Sequence, residues 1–221
     1  ELDALMPELL ADQATLFCHL GGDSAWDARV VGWVNAVRNR ARSGVAAPHE
    51  IKDVHTVLDE MRVIKSAEEL ATMRRAAEIS AGAHRRAMQT ARPGRAEYEI
   101  EAELLYEFRR HGAQAPAYTP IVAAGANACV LHYVENIGML ADGDLLLIDA
   151  GCELDGYASD ITRTFPVNGK FSGPQREVYE LVLAAQAAAM AKVRPGNFWD
   201  RPHEAAVKVL ARGFIDLGLL S

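Results

Sequence analysis

Two aspartates, Asp149 and Asp160, are the residues of this sequence whose type and spacing point most directly to chemistry. They lie eleven residues apart in the stretch 144–167, DLLLIDAGCELDGYASDITRTFPV. Residues 145–148 form an apolar run suited to a strand. Asp155-Gly156 is a two-residue hairpin signal, because a type I′ turn needs positive φ at both central positions. Residues 157–165 then resume as a strand. With that turn Leu154 faces Tyr157, Gly151 faces Asp160 and Asp149 faces Thr162. Side chains alternate with period two, so Asp149 and Asp160 fall on one face as diagonal neighbours, within reach of a common ion. Two carboxylates converging in an apolar hairpin repel, and buried unpaired charge is costly, so a cation is the expected partner. Hard oxygen donors favour Mn²⁺, Mg²⁺ or Ca²⁺, with Zn²⁺ or Co²⁺ admitted if a histidine joins. Carboxylates that reach two ions suggest hydrolysis at a two-metal centre. The plainer alternative is a pair of solvated hairpin residues. Against it, Asp149 ends a wholly apolar run and Asp160 stands in mid-strand, where aspartate is disfavoured.

The elements that must position these residues are read from pattern. Residues 1–12 read as a short amphipathic helix and 15–20 as a strand ended by Gly21-Gly22. Residues 27–42 read as a helix with Val30, Val31, Val34 and Val37 on its apolar face. Trp26 and Trp33 are expected in a core. Residues 46–53 read as a linker, with His49 and His55 in polar, exposed positions. Ser66, with Glu69 three residues on, forms a capping box. The helix it opens runs to Thr90 with Leu70, Met73, Ala77 and Ile79 as its stripe. His84 on that helix takes a surface or a satisfied structural place. Arg92-Pro93-Gly94 breaks the chain, and 98–110 forms a second helix with Ile100, Leu104, Leu105 and Phe108 apolar. Residues 117–124 and 128–134 read as strands around Gly125-Ala126-Asn127, which puts His132 inside the second. Glu135 and Asn136 follow as loop residues. Ser172-Gly173-Pro174 opens a helix to about residue 193, with an alanine face over 184–191, and 200–215 forms the next helix. Two helices followed by strands suggest helices covering one face of an antiparallel sheet, an α+β arrangement.

The chain has 221 residues, half of them hydrophobic, and carries a net charge of −7. That charge argues against a nucleic-acid or an anionic-membrane surface. No apolar run is long enough to span a bilayer. Cys18, Cys129 and Cys152 are too few and too scattered for a disulfide framework or a cysteine zinc site, and they fit a reducing cytoplasm. The first residue is Glu1, so a preceding segment is expected.

Beyond these readings, DAGCELDGYASDITRTFPVNGKF closely resembles the first metal-ligand hairpin of the pita-bread metallopeptidases, most specifically the Xaa-Pro aminopeptidase (aminopeptidase P) family. MRVIKSAEELATMRRAAEIS, HGAQAPAYTPIVAAGANACVLHYVEN and FSGPQREVYELVL resemble the same family. The resemblance implies that residues 55–221 are the first part of a pita-bread catalytic domain. Residues 1–54 are then the C-terminal part of an N-terminal α/β domain with its linker. It implies two divalent ions, Mn²⁺, with Asp149 and Asp160 as their first two ligands. His132, in LHY, matches a catalytic histidine that contacts substrate and can donate a hydrogen bond to a developing oxyanion. Tyr118 falls at an active-site tyrosine that binds substrate. The recurrence of Arg92-Pro93-Gly94 as Arg194-Pro195-Gly196 is consistent with the family's internal pseudo-symmetry. The implied reaction is release of an N-terminal residue from peptides with proline second, by a cytoplasmic homo-oligomer, a dimer or tetramer. The family's remaining histidine and two glutamate ligands have no match, so the chain by itself is expected to be inactive. A prolidase, which cuts only dipeptides, and a non-catalytic pita-bread module that binds peptide or protein are the alternatives. Methionine aminopeptidase and a metal-free creatinase-like hydrolase fit less well.

Overall fold

The computed structural model describes residues 1–220, and the chain separates after Glu69 into two units, each with its own core. The first contains α1 (Leu2–Leu10), β1 (Thr15–Phe17), α2 (Ser24–Arg38), β2 (Glu50–Lys52) and α3 (His55–Val63). β1 and β2 pair in parallel, with Leu16 opposite Ile51. Parallel neighbours cannot be joined by a tight turn, and the crossover here is α2, so the unit is built on a β-α-β crossover. Asp23 starts α2 by accepting hydrogen bonds from Ala25 N and Trp26 N at 2.8 and 3.2 Å. Val30, Trp33, Val34 and Val37 of α2 pack with Leu10.

Three expectations change in this unit. The strand from Thr15 stops at Phe17. The linker contains β2, a short and wholly exposed strand whose polar sequence carries no apolar alternation. Trp33 is buried and donates from Nε1 to Asp3 Oδ1 at 2.8 Å. Trp26, by contrast, is 39% exposed and lies edge-to-face against it. α3 buries no residue and lies within the first unit.

The second unit is led by α4 (Ala67–Thr90) and α5 (Glu97–Arg110). The capping box at Ser66 forms: Ser66 N donates to Glu69 Oε2 and Glu69 N to Ser66 Oγ. The buried face of α4 is Ala76, Ile79, Ser80, Ala83, His84 and Ala87; of the expected stripe Ile79 is buried and Met73 half-buried, while Leu70 and Ala77 are exposed. Small side chains let the sheet approach closely, and the two polar ones are used, as described below. α5 buries Ile100, Leu104 and Phe108.

The strands follow: β3 (Ala115–Pro116), β4 (Ile121–Ala124), β5 (Leu145–Ala150), β6 (Cys152–Leu154), β7 (Tyr157–Ala158) and β8 (Ile161–Pro166). They form two antiparallel sheets, ordered β4-β5-β8 and β3-β6-β7. β5 alternates strictly. Leu146, Ile148 and Ala150 join the core shared with α4 and α5, while Leu145, Leu147 and Asp149 turn to the opposite face. The α+β reading therefore holds for this unit. The expected strand over 128–134 does not exist. A 3-10 turn occupies Gly125–Cys129, and His132 sits in a turn with φ of 56°. α6 (Gly173–Met190) begins with a second capping box, Ser172 with Gln175, and packs on α7 (Arg201–Asp216). The approach is close at Gly213, where a Cβ would lie 2.2 Å from Leu181 Cδ1. Of the alanine face expected on α6 only Ala185 is buried. No described helix is long and apolar enough to cross a membrane.

Candidate metal centre

The register of the central hairpin is the one its turn dictates. Asp155 and Gly156 have φ of 50° and 80°, as a type I′ turn requires. Leu154 pairs with Tyr157, Ala150 with Ile161 and Asp149 with Thr162. The second arm is interrupted between Ala158 and Ile161, so Asp160 stands in a break and not in mid-strand. At that break Ser159 crosses over Gly151: a Cβ on residue 151 would lie 1.7 Å from Ser159 O, backbone that cannot move aside. Only glycine lets the two arms approach here.

A third segment completes the arrangement. β3 pairs with β6, and Ala117 N then donates to Gly151 O at 2.9 Å, which delivers Tyr118 beside the break. The Tyr118 hydroxyl lies 2.6 Å from Asp149 Oδ1 and 2.9 Å from Asp160 Oδ1. Both carboxylates therefore face one point on one side of the hairpin. Burial, then the hydrogen bonds to Asp149 and Asp160, push the Tyr118 hydroxyl well above its usual pKa. Tyr118, His132, Asp149 and Asp160 line one cavity of about 390 Å³, with Thr119, Ile121 and Val134.

The donor set fits a hard divalent cation. Two carboxylates share a single phenolic proton, so lone pairs outnumber donors, and oxygen-only ligation suits Mn²⁺ or Mg²⁺. Among the described residues no third His, Cys, Asp or Glu ligand atom joins these two carboxylates within 4.8 Å. The set is partial.

The hairpin is held from behind by α4. Ser80 Oγ meets Ser159 Oγ at 2.8 Å and accepts from Cys152 N at 3.0 Å. One turn on, His84 Nε2 lies 3.1 Å from Ala150 O, next to Asp149. Bonding a carbonyl requires Nε2–H, which leaves Nδ1 as a buried acceptor without a partner. Burial holds the His84 ring below the usual histidine pKa. The i, i+4 spacing of Ser80 and His84 was the available signal, since two polar residues on the face opposite a charged stripe are expected to have buried partners.

The turn carrying His132 is anchored by Glu97, which is fully buried. Glu97 Oε1 accepts from Ala124 N at 2.7 Å and Asn127 Nδ2 at 3.0 Å. Its Oε2 accepts from Gly138 N at 2.7 Å and Tyr133 OH at 2.8 Å. Asn136, expected as an ordinary loop residue, is 1% exposed and bonds Val122 N and Pro120 O. Neither role is visible from a linear pattern, because every one of these partners is more than ten residues away from the side chain it meets. These anchors hold His132 exposed, in a left-handed conformation at the cavity wall.

Fold, hairpin and carboxylate pair place the chain in a defined class: it belongs to metallopeptidase family M24, whose sequence model matches residues 71–219. Its fold is the α+β pita-bread fold of that family. Among curated relatives, the Xaa-Pro aminopeptidase of Haemophilus influenzae is 56% identical over 171 residues, covering 77% of this chain and 40% of the relative. The Xaa-Pro aminopeptidase of Escherichia coli is 47% identical over 203 residues, covering 91% of this chain and 46% of the relative. The structure of Pseudomonas aeruginosa aminopeptidase PepP aligns with a TM-score of 0.98 at 51% identity, over all of this chain and 50% of that one. A zinc-substituted E. coli aminopeptidase P in complex with product aligns with a TM-score of 0.97 at 43% identity, again over all of this chain and 50% of that one. The chain thus spans about half the length of the relatives it matches.

Proposed function

We propose that this chain forms one half of a Xaa-Pro aminopeptidase, a hydrolase that removes the N-terminal residue from peptides with proline in the second position. The observation that carries the reading is the convergence of Asp149 and Asp160 on the Tyr118 hydroxyl in a cavity that His132 also lines. The Xaa-Pro aminopeptidase relatives at 47–56% identity support it.

In this reading Asp149 and Asp160 are metal ligands, and the missing ligands come from the half that the relatives possess in addition. Two divalent ions, Mn²⁺, would supply a bound water acidic enough to attack a carbonyl near neutral pH. The residues of this chain do the rest. Asp149 and Asp160 would hold the cations, and the Tyr118 hydroxyl, which contacts both carboxylates here, would then be free to bond substrate. His132 donates a hydrogen bond to the scissile carbonyl oxygen as charge develops there. The hairpin break, braced by Ser80 and His84, keeps the two carboxylates on one side. We further propose that residues 1–54 are the end of an N-terminal α/β domain with its linker and that 55–221 are the first part of the catalytic domain, with α3 as the segment that leads into it. A cytoplasmic dimer or tetramer is the proposed setting.

The test is an assay of the full-length enzyme with an Arg-Pro-Pro peptide, loaded with Mn²⁺ and after chelation. Metal-dependent release of free arginine is expected. Cleavage of Arg-Pro alone, with the tripeptide untouched, points instead to a prolidase. Binding without cleavage of either points to a non-catalytic module.

A further inference from the structure

The first unit holds a different set of ligating side chains, His19, Asp53 and His55, none of which lines the cavity of Asp149 and Asp160. Backbone pairing continues past the ends of β1 and β2: Cys18 N donates to Lys52 O at 3.0 Å, and Val54 N to Cys18 O at 3.4 Å. The residues flanking this pairing, His19 and Asp53, are thereby delivered side by side at the carboxyl ends of two parallel strands. That is the end at which open α/β sheets bind their ligands. Asp53 is fixed a second time by the start of α3, where its Oδ1 accepts from the His55 backbone N–H at 3.0 Å. The same turn brings His55 Nδ1 to 3.0 Å from that oxygen, and His19 Nδ1 lies 3.7 Å from it. The two imidazoles meet edge-to-face, 4.5 Å between centroids. One ligand atom from each residue lies within 4.8 Å of the other two.

Ligand atoms around a tetrahedral ion with bonds of about 2.0–2.1 Å stand roughly 3.3 Å apart. The separations of 3.0 and 3.7 Å straddle that value. Two imidazoles and one carboxylate form a borderline donor set, suited to Zn²⁺, Co²⁺, Ni²⁺ or Cu²⁺ and not to Mg²⁺. The adjacent cation, Lys52, is engaged by Glu50 at 2.7 Å. Each of the three side chains is about half exposed, which leaves a fourth position open to water. We propose that His19, Asp53 and His55 form a binding site for one divalent ion of the zinc type, clipping the end of β1 to the start of α3. Its donors differ from the all-oxygen pair at Asp149 and Asp160, so the two sites prefer different metals.

The experiment is a titration of the 221-residue chain with Zn²⁺ against a chromophoric chelator, repeated with Co²⁺ to read the visible absorption of a nitrogen-ligated ion. Wild type is compared with His19→Ala, His55→Ala and Asp160→Asn. The two histidine side chains are half exposed, so their removal leaves the core intact, which circular dichroism checks. Asp53 is left alone because its carboxylate also accepts the His55 backbone N–H at the start of α3. One equivalent of Zn²⁺ is expected to bind wild type and Asp160→Asn alike. Each histidine substitution should weaken that equivalent by at least about tenfold. Unchanged zinc affinity in both histidine variants would overturn the proposal. So would a wild type whose zinc binding is abolished by Asp160→Asn, and His19, Asp53 and His55 would then be an ion-paired cluster only.

Discussion

Glu97 and the pair Asp149–Asp160 are two ways of holding negative charge in the same unit. Glu97 is a single carboxylate that meets four donors, two of them backbone N–H groups. At the cavity two carboxylates share one phenolic proton. The first cluster has its acceptors saturated and gains nothing from an ion. The second is short of donors, so a cation or a proton is what it lacks. A carboxylate in this unit is thus structural where the backbone supplies its donors, as at buried Glu97, and available for ligation where it does not, as at half-buried Asp149 and exposed Asp160. Each cluster predicts a different response to loss of its acid.

The largest effect is expected at the cavity. Asp160→Ala in the full-length enzyme should lower kcat/KM by at least about 1,000-fold, roughly 4 kcal/mol in the barrier. Its urea midpoint should stay the same or rise, because one of two repelling carboxylates is gone. Turnover within tenfold of wild type would erase the distinction between the clusters. Glu97→Ala should do the reverse and act on stability. Four donors lose their acceptor in a buried site, and the expected loss is about 3–5 kcal/mol by chemical denaturation of the 221-residue chain. A loss under about 1 kcal/mol would show that water replaces the carboxylate and that the anchor is not needed.

A smaller effect sharpens the picture behind the hairpin. Burial lowers the pKa of His84 in the folded chain, while the unfolded chain titrates near 6.5. Below about pH 6.5 the unfolded state therefore takes up a proton that the folded state resists. The stability contributed by neutral His84 is present above that pH and is lost as pH falls through the folded value. His84→Gln, which keeps an N–H donor, should flatten this decline by about 1 kcal/mol between pH 7.5 and 5.5, read as the difference between the two denaturation profiles. Equal slopes would mean that His84 is not desolvated in solution. Tyr118→Phe should have the least effect on the metal-free chain, under about 1 kcal/mol, since one shared hydrogen bond is lost. Its Mn²⁺ affinity should be unchanged or tighter, because the carboxylates no longer have the phenol as a competing partner. Weaker binding would assign Tyr118 to the ligand set.

The hairpin was legible in the linear sequence because its determinants are local. Asp155-Gly156 sets the turn, the turn sets the register, and period-two alternation then places Asp149 and Asp160 on one face. The capping box at Ser66, the helix start at Ser172-Gly173-Pro174 and the apolar stripe of α5 are local in the same way. The strand expected over 128–134 failed for the complementary reason. Its apolar character comes from residues such as Leu131, exposed at 87%, and Tyr133, whose place is decided by the hydrogen bond its hydroxyl donates to Glu97, 36 positions away. β2 was missed because three exposed residues, Glu50, Ile51 and Lys52, show no pattern and become a strand only by pairing with β1. The approach of Tyr118 to both aspartates, the bracing by Ser80 and His84, and the meeting of His19 with Asp53 and His55 likewise belong to the tertiary structure. Spacing along the chain controls which face a side chain takes within one element. Which elements then meet is governed by burial and hydrogen bonding between distant segments, and that is decided only when the whole unit packs.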